Sequence, residues 1–403
     1  MKNLFIIFSI INTFIFCFCD TESRESDIIL IGINDKNLKE YEGQWPLTNG
    51  MSFNSYLIVD EKIMILNGVE KHYENEWLEK IQKNLKGREP DFILIQHMEP
   101  DASESLQLLL QKYPKIKIIS SNKSFSLMKK YFNEDFKEKQ ILVKNDERIG
   151  LGKHILHVIE TPMVHWPEVI VVYDEYSKTL FSCDAFGKFG VSEVNEPWDD
   201  EARRYYYGII GKNGKHVQSF LKKISNFEIR NIFPNHGPIL TQNIEHYISI
   251  YDKWSKYEYE EDGVVIVYST VHGHTKIAVD KLEEKLKSLG IKYIIHNLSF
   301  SHVSNIVADA FKYSKLVLAT INYHDGIYPF MRIFLNLLVS KNYQNRIVSI
   351  IENYSWKSNH GVVIIEKLKS CKNLTFPHKP ICIHSSVKPE DIEEINNLAA
   401  ELS

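Results

Sequence analysis

Cysteine is scarce in this chain: five among 403 residues. Cys17 and Cys19 stand in the first twenty residues, which leaves Cys183, Cys371 and Cys382 as an odd, scattered set. That excludes a disulfide framework and is expected of a reduced, intracellular body. Charge of one sign is lacking too, since 48 Lys and Arg face 52 Asp and Glu for a net charge of −4. With no long basic block and no basic stripe interleaved with aromatics, no nucleic acid is expected as a partner. Four Asn-x-Ser/Thr triplets, at Asn122, Asn297, Asn353 and Asn373, are what chance supplies in a chain rich in Asn and Ser. The apolar run over residues 4–19, behind Lys2, is short for a spanning helix. Residues 1–20 read as a secretory signal-like leader, or else as an N-terminal extension or hydrophobic anchor. The body is accordingly expected in the cytoplasm, with a secretory or membrane-associated location as the alternative.

What is present is globular: 44% hydrophobic and 25% charged residues, in a length suited to two ordinary domains. One stretch stands out, Gln96-His97-Met98-Glu99-Pro100-Asp101, directly after the apolar run Phe92-Ile93-Leu94-Ile95. If the chain stays extended, alternation aims His97, Glu99 and Asp101 the same way. An imidazole with two carboxylates suits iron or manganese better than structural zinc, which favours thiolates. A polar loop that happens to hold a His and two acids is the alternative. His165, Asp184 and His236 each follow an apolar run and enter a turn, and with the triplet they make three His and three carboxylates, the supply a two-metal centre requires. Around them strands are expected at 27–33, 56–59, 63–66, 92–95, 116–119, 155–159 and 169–173, and helices at 76–85, 106–110 and 125–132.

Near Tyr257-Glu258-Tyr259-Glu260-Glu261-Asp262 the chain turns acidic, and a domain boundary is placed there, between 27–256 and 263–403. The rhythm then becomes regular. Strands at 264–268, 292–297, 316–319, 347–351 and near 381 alternate with helices at 276–289, 330–338, 362–368 and 389–402, which predicts a parallel, doubly wound sheet. The first strand runs into Ser269-Thr270-Val271-His272-Gly273-His274-Thr275, a hydroxyl-rich turn ahead of a helix. Backbone N–H groups, hydroxyls and the helix dipole favour a phosphate there. The turn lacks the Gly-Lys-Ser ending of a P-loop, and a plain Ser/Thr cap is the alternative.

The segments His97-x-Glu99-x-Asp101, Thr161-Pro-Met-Val-His165-Trp-Pro, Ser182-Cys-Asp184-Ala-Phe-Gly and Phe233-Pro-Asn-His236-Gly-Pro resemble the successive signatures of the flavodiiron proteins. The resemblance covers nearly all of residues 27–403. It implies a metallo-β-lactamase-like αββα sandwich carrying two irons, followed by a flavodoxin-like domain carrying FMN. One iron is then held by His97, Glu99 and His165, a second by Asp101 and His236, with Asp184 bridging. Glu99 stands where hydrolases of the same fold usually carry His and bind zinc. Where the family usually has a His ligand directly after the Asp, this chain has Ala102, which leaves the second iron an open position, a water, or help from Ser103 or Glu104.

The turn from Ser269 to Thr275 resembles the FMN phosphate loop of flavodoxins. Thr320-Ile-Asn322-Tyr323-His-Asp325-Gly326 resembles the second flavin loop, and Asn353, Tyr354, Ser355 and Trp356 the third, with Glu352 where relatives are richer in Gly and Ser. The implied activity is reduction of dioxygen to water, or alternatively of nitric oxide to nitrous oxide. Electrons are expected from a separate rubredoxin or NAD(P)H-linked reductase, and the assembly is expected to be a head-to-tail homodimer or a homotetramer. A zinc hydrolase of the metallo-β-lactamase type and a degenerate flavoprotein are the competing readings.

Overall fold

The computed structural model describes residues 27–194, 196–356 and 359–403, so the leader expected over residues 1–20 lies outside the described residues. Among those described, no helix is long and apolar enough to cross a membrane. The expected strand over 27–33 is broken into Ile28–Leu30 and Ile33–Asp35, which pair with different partners.

Two mixed sheets make the first half. One has six strands in the order 28–30, 56–59, 63–66, 92–94, 117–120, 140–142; the other has five, 148–150, 155–160, 170–174, 179–183, 231–234. Side chains alternate across a strand, so each strand serves two apolar layers. Met64 and Leu66 face the second sheet together with Leu156, Val158, Ile170, Val172 and Phe181. Ile63 and Ile65 face outward, onto Trp77, Ile81, Leu106, Leu109, Phe125 and Met128 of the helices Glu74–Leu85, Leu106–Lys112 and Asn122–Phe132. On the far side Val171, Tyr173, Leu180 and Ile232 meet Val217, Phe220, Tyr251 and Trp254 from the helices Gly214–Ile224 and Ile244–Ser255. Both faces of both sheets are buried, which is why these strands read as continuous apolar runs. The result is an αββα sandwich.

The second half is one parallel sheet in the order 293–297, 261–268, 313–323, 346–354, ending with 374–375 and 381–384 beside the last long strand. The helices His274–Ser288 and Pro389–Glu401 cover one face; Val303–Lys312, Pro329–Ser340 and His360–Leu368 cover the other. Counted in chain order the strands run 2-1-3-4-5, the flavodoxin-like doubly wound arrangement. The helix over 303–312 completes the alternation at a place where the sequence reading had only strands on either side.

In the acidic stretch at the expected boundary Glu258, Tyr259 and Asp262 are exposed, but Glu260 is tied into the fold. Glu260 accepts the Nε–H and Nη2–H of buried Arg203, each at 2.5 Å, and the indole N–H of Trp254 at 2.7 Å. Burial costs this carboxylate its hydration, and the bidentate pair returns it. Nearby, Tyr207 from the first half stacks on Phe311 from the second at 3.9 Å and 14°. The two halves therefore share an apolar core.

Candidate metal centre and the loops of the parallel sheet

All six candidate ligands converge where strands of the sandwich end. Beneath them lies a floor of buried amides. Asn67 Oδ1 accepts the Gln96 backbone N–H at 2.8 Å, Asn67 Nδ2 donates to Asn235 Oδ1 at 2.8 Å, and Gln96 Nε2 donates to the Phe181 carbonyl at 2.8 Å. These bonds satisfy the strand ends from which His97, Asp184 and His236 project. Met163 and Cys183, with φ of 68° and 56°, hold the left-handed conformation just before His165 and Asp184. Non-glycine residues adopt it at a cost of about 1–3 kcal/mol each, so surrounding structure fixes these turns.

The expectation that His97, Glu99 and Asp101 all point one way is corrected. The extended segment stops at Glu99, and Pro100 opens a short helix, Pro100–Ser103, that carries Asp101. The triplet is thereby split between two half-sites. In the first, His97 Nε2 and His165 Nε2 lie 3.1 and 3.0 Å from the same oxygen, Glu99 Oε2, and the three ligand atoms lie within 4.8 Å of one another. In the second, Asp101 Oδ2 lies 3.2 Å from His236 Nε2. Asp184 faces both, with Oδ2 3.6 Å from His97 and from His165 and Oδ1 3.4 Å from His236.

Outer groups leave Nε2 free toward the centre. The Nδ1–H of His97 donates to Glu168 Oε1 at 2.8 Å, an oxygen that also accepts the Met98 N–H at 3.0 Å. His236 Nδ1–H donates to the Ser52 carbonyl at 2.7 Å. Such bonds fix the tautomer and raise the basicity of a ligating imidazole. Glu168 was missed from sequence; its only local signal is its place directly after His165-Trp-Pro. Tyr41 was missed as well, and its hydroxyl donates to Asp101 Oδ2 at 2.6 Å.

Electrostatics test whether a cation fits. Burial works against a charged His97, yet the carboxylates of Asp184, Glu168 and Glu99 hold its proton well above the usual imidazole range. His236 is pushed up to about 10 against the same burial penalty by Asp101 and Asp184. Conversely, burial raises Glu99 but His165 and His97 bring it down to about 2, and Asp184 is held far below the carboxylate range against burial by His97 and His236. Such a cluster demands positive charge at its centre. His236 Nε2 is also buried without a hydrogen-bonded partner, its carboxylate neighbours lying off the line a bond requires. Hard oxygen and imidazole donors with no thiolate suit iron. A cavity of about 470 Å³ borders His165 alone of the six, and is lined also by Met163, Trp166, Ile209, Lys212 and Lys341.

The flavin candidates gather at the carboxyl ends of the parallel strands. Ser269 and Thr320 share a buried hydroxyl contact of 3.1 Å, and Thr270 Oγ1 accepts the Gly273 N–H at 3.0 Å. Gly273, at φ 88°, turns the chain into the helix His274–Ser288; His272 and His274 flank it, exposed. Thr275, in the first turn, is fully buried and its Oγ1 has no partner. An anion at that helix start satisfies both the hydroxyl and the free N–H groups. Asn322 and Tyr323 pair with Ile327 and Gly326 in a short hairpin whose tip holds Asp325. Trp356, 78% exposed, donates its indole N–H to Asp325 Oδ1 at 3.3 Å, tying the second loop to the third. Tyr354 stacks on His384 at 5.3 Å, Asn353 donates to the Ser385 carbonyl at 3.2 Å, and Ser355 Oγ accepts from Ser385 Oγ at 3.1 Å.

Glu352, which made the third loop look irregular, has a structural task. Its carboxylate accepts the N–H groups of Asn359, His360 and Gly361 at 3.0, 3.1 and 2.8 Å and so caps the helix His360–Leu368.

An αββα sandwich with a split carboxylate–imidazole cluster is thus joined to a doubly wound sheet with a phosphate-type turn. Residues 51–237 match the ODP family beta lactamase model. The chain is 24% identical to the anaerobic nitric oxide reductase flavorubredoxin of Vibrio vulnificus, across 84% of this chain and 70% of that protein. It spans about half the length of the cyanobacterial diflavin flavoproteins it matches. Its fold is similar to rubredoxin oxygen:oxidoreductase from Desulfovibrio gigas (TM-score 0.87, 23% identity, 93% of this chain and 96% of that one). It is equally similar to the flavodiiron protein from Giardia intestinalis (TM-score 0.88, 21% identity, 94% and 95%). The chain thus shares the fold of the flavodiiron proteins along nearly its whole length.

Proposed function

We propose that this chain is an oxidoreductase that uses FMN, bound by residues 263–403, and two iron ions, bound by residues 27–256, to reduce dioxygen to water. One observation carries the reading. Glu99 places a single carboxylate oxygen between two imidazoles, and Asp184 turns one oxygen to each half-site, an arrangement suited to two hard cations held side by side. The flavin supplies electrons singly or in pairs and the irons bind and reduce the small oxidant.

The chain's own residues do the holding. His97, Glu99 and His165 would hold the first iron and Asp101 and His236 the second, with Asp184 turned toward both. Glu168 and the Ser52 carbonyl keep the Nδ1 protons in place, so that Nε2 faces metal. The Thr275 hydroxyl and the N–H groups at the start of its helix take the FMN phosphate, while Tyr323, Tyr354 and Trp356 flank the ring system.

Nitric oxide is the alternative oxidant, favoured by the likeness to the flavorubredoxin. Donors from the same chemistry are a rubredoxin or an NAD(P)H-linked reductase, and the working assembly is a head-to-tail homodimer or homotetramer that sets the flavin of one copy against the irons of another. The exposed apolar rim around the flavin loops, Tyr323, Phe330, Ile333, Trp356 and Val362, supports such a contact. A reduced cytoplasm is the setting in which these donors occur.

The test is anaerobic reduction of purified protein of known iron and FMN content, followed by dioxygen and nitric oxide consumption on the same sample. Two irons and one FMN per chain with faster dioxygen consumption is the expected result. Zinc without iron establishes the hydrolase reading instead, and a reduced, fully loaded protein inert to both gases establishes a degenerate flavoprotein.

A further inference from the structure

Position 102 offers the second half-site a methyl group, buried at 4% exposure, in place of a donor. Another donor reaches Asp101 from far along the chain. Tyr41 lies on the short strand Glu40–Tyr41, paired with Trp45–Pro46, and is 6% exposed. Its hydroxyl is 2.6 Å from Asp101 Oδ2, the oxygen that lies 3.2 Å from His236 Nε2. A phenol oxygen and an imidazole nitrogen thus converge on one carboxylate oxygen. The first half-site repeats the relation, with His97 and His165 converging on Glu99 Oε2 at 3.1 and 3.0 Å.

The ring is held so that the oxygen has little choice of position. It meets His236 edge-on at 5.6 Å and 62°, and Phe189 at 6.1 Å and 65°, with Phe53 tilted against it at 6.4 Å. A phenylalanine would fill this shell as well, so packing alone does not call for the hydroxyl. Resting on the two-iron reading above, we propose that Tyr41 is a ligand of the second iron, its phenol oxygen standing in for the imidazole that position 102 lacks. The donor set becomes Tyr41 Oη, Asp101 Oδ2, His236 Nε2 and Asp184 Oδ1, three oxygens and one nitrogen, hard enough for iron. The phenol proton leaves to solvent as the metal is taken up, as the proton of any protic ligand does.

Tyr41→Phe keeps the ring and removes only the oxygen. Protein loaded with ⁵⁷Fe and FMN is examined by iron analysis, Mössbauer spectroscopy and visible absorption beyond the flavin bands, where a phenolate bound to ferric iron absorbs. In the parent chain two iron signals and this long-wavelength absorption are expected. In Tyr41→Phe the absorption disappears, one signal is lost or shifted while the other stays, and iron falls from about two to about one per chain. Adding Ala102→His to Tyr41→Phe restores the second iron without restoring the absorption, which also shows that the variant folds. Two unchanged iron signals in Tyr41→Phe, from a parent that holds two irons, overturn the role of Tyr41 and leave the two-iron reading standing. A parent chain that takes up zinc alone, or no metal, overturns both.

Discussion

The two halves of the metal centre are built by different means. The first half-site draws its ligands from two loops and is braced from outside by Glu168, so three donors crowd within 4.8 Å of one another. The second has Asp101 on a short helix and His236 pinned by the Ser52 carbonyl, with Tyr41 across from them. One is complete from the signature residues; the other borrows from a distant strand. The proposed two-metal centre is thus not symmetric, and its weaker half is the one to perturb.

Three substitutions sharpen this contrast. The largest effect is expected from His165→Ala, which removes a direct donor. Turnover should fall by more than the roughly 100-fold that loss of an outer partner costs, with the first iron missing on metal analysis. Glu168→Gln leaves all donors in place but weakens the hold on His97. Metal affinity of the first half-site alone should drop by about 10–100-fold in a chelator competition; an equal loss at both half-sites would break the distinction between them. Ala102→His in the otherwise unchanged chain adds a donor to the second half-site, and slower loss of one iron to the chelator is the outcome to look for.

Thr275→Val removes the buried hydroxyl at the start of its helix. A charge-assisted hydrogen bond is lost, so the FMN dissociation constant should rise by roughly 10-fold or more, with both irons retained. The smallest effect concerns Lys341, which lines the cavity beside His165. Burial, and then the nearby Lys212 charge, lowers the Lys341 ammonium to about 8. Its positive charge is present below that pH and disappears above it, so the inflection it gives to the pH profile of turnover should vanish in Lys341→Met.

Much of the architecture was legible in the sequence. Continuous burial in strands such as 63–66 and 170–174 is a local property, and the two apolar faces show up together as unbroken apolar runs. The parallel sheet was legible for the same reason, except for the helix over 303–312. The direction of Asp101 was not, because Pro100 starts a helix at the point where strand alternation would have continued. Glu352 looked like damage to a flavin loop and is a helix cap, which only the position of residues 359–361 reveals.

The sequence by itself determined the chemistry on offer: three imidazoles and three carboxylates at strand ends, and a hydroxyl-rich turn ahead of a helix. These are set by residue type and short-range spacing, which the backbone periods of strand and helix convert directly into local geometry. Tertiary structure alone decided how the donors are divided. It brought Glu168 to His97 across 71 residues and Tyr41 to Asp101 across 60. No period in a sequence encodes contacts of that separation; they arise when packed layers bring strand ends together, and there the second half-site gains the oxygen that its own signature omits.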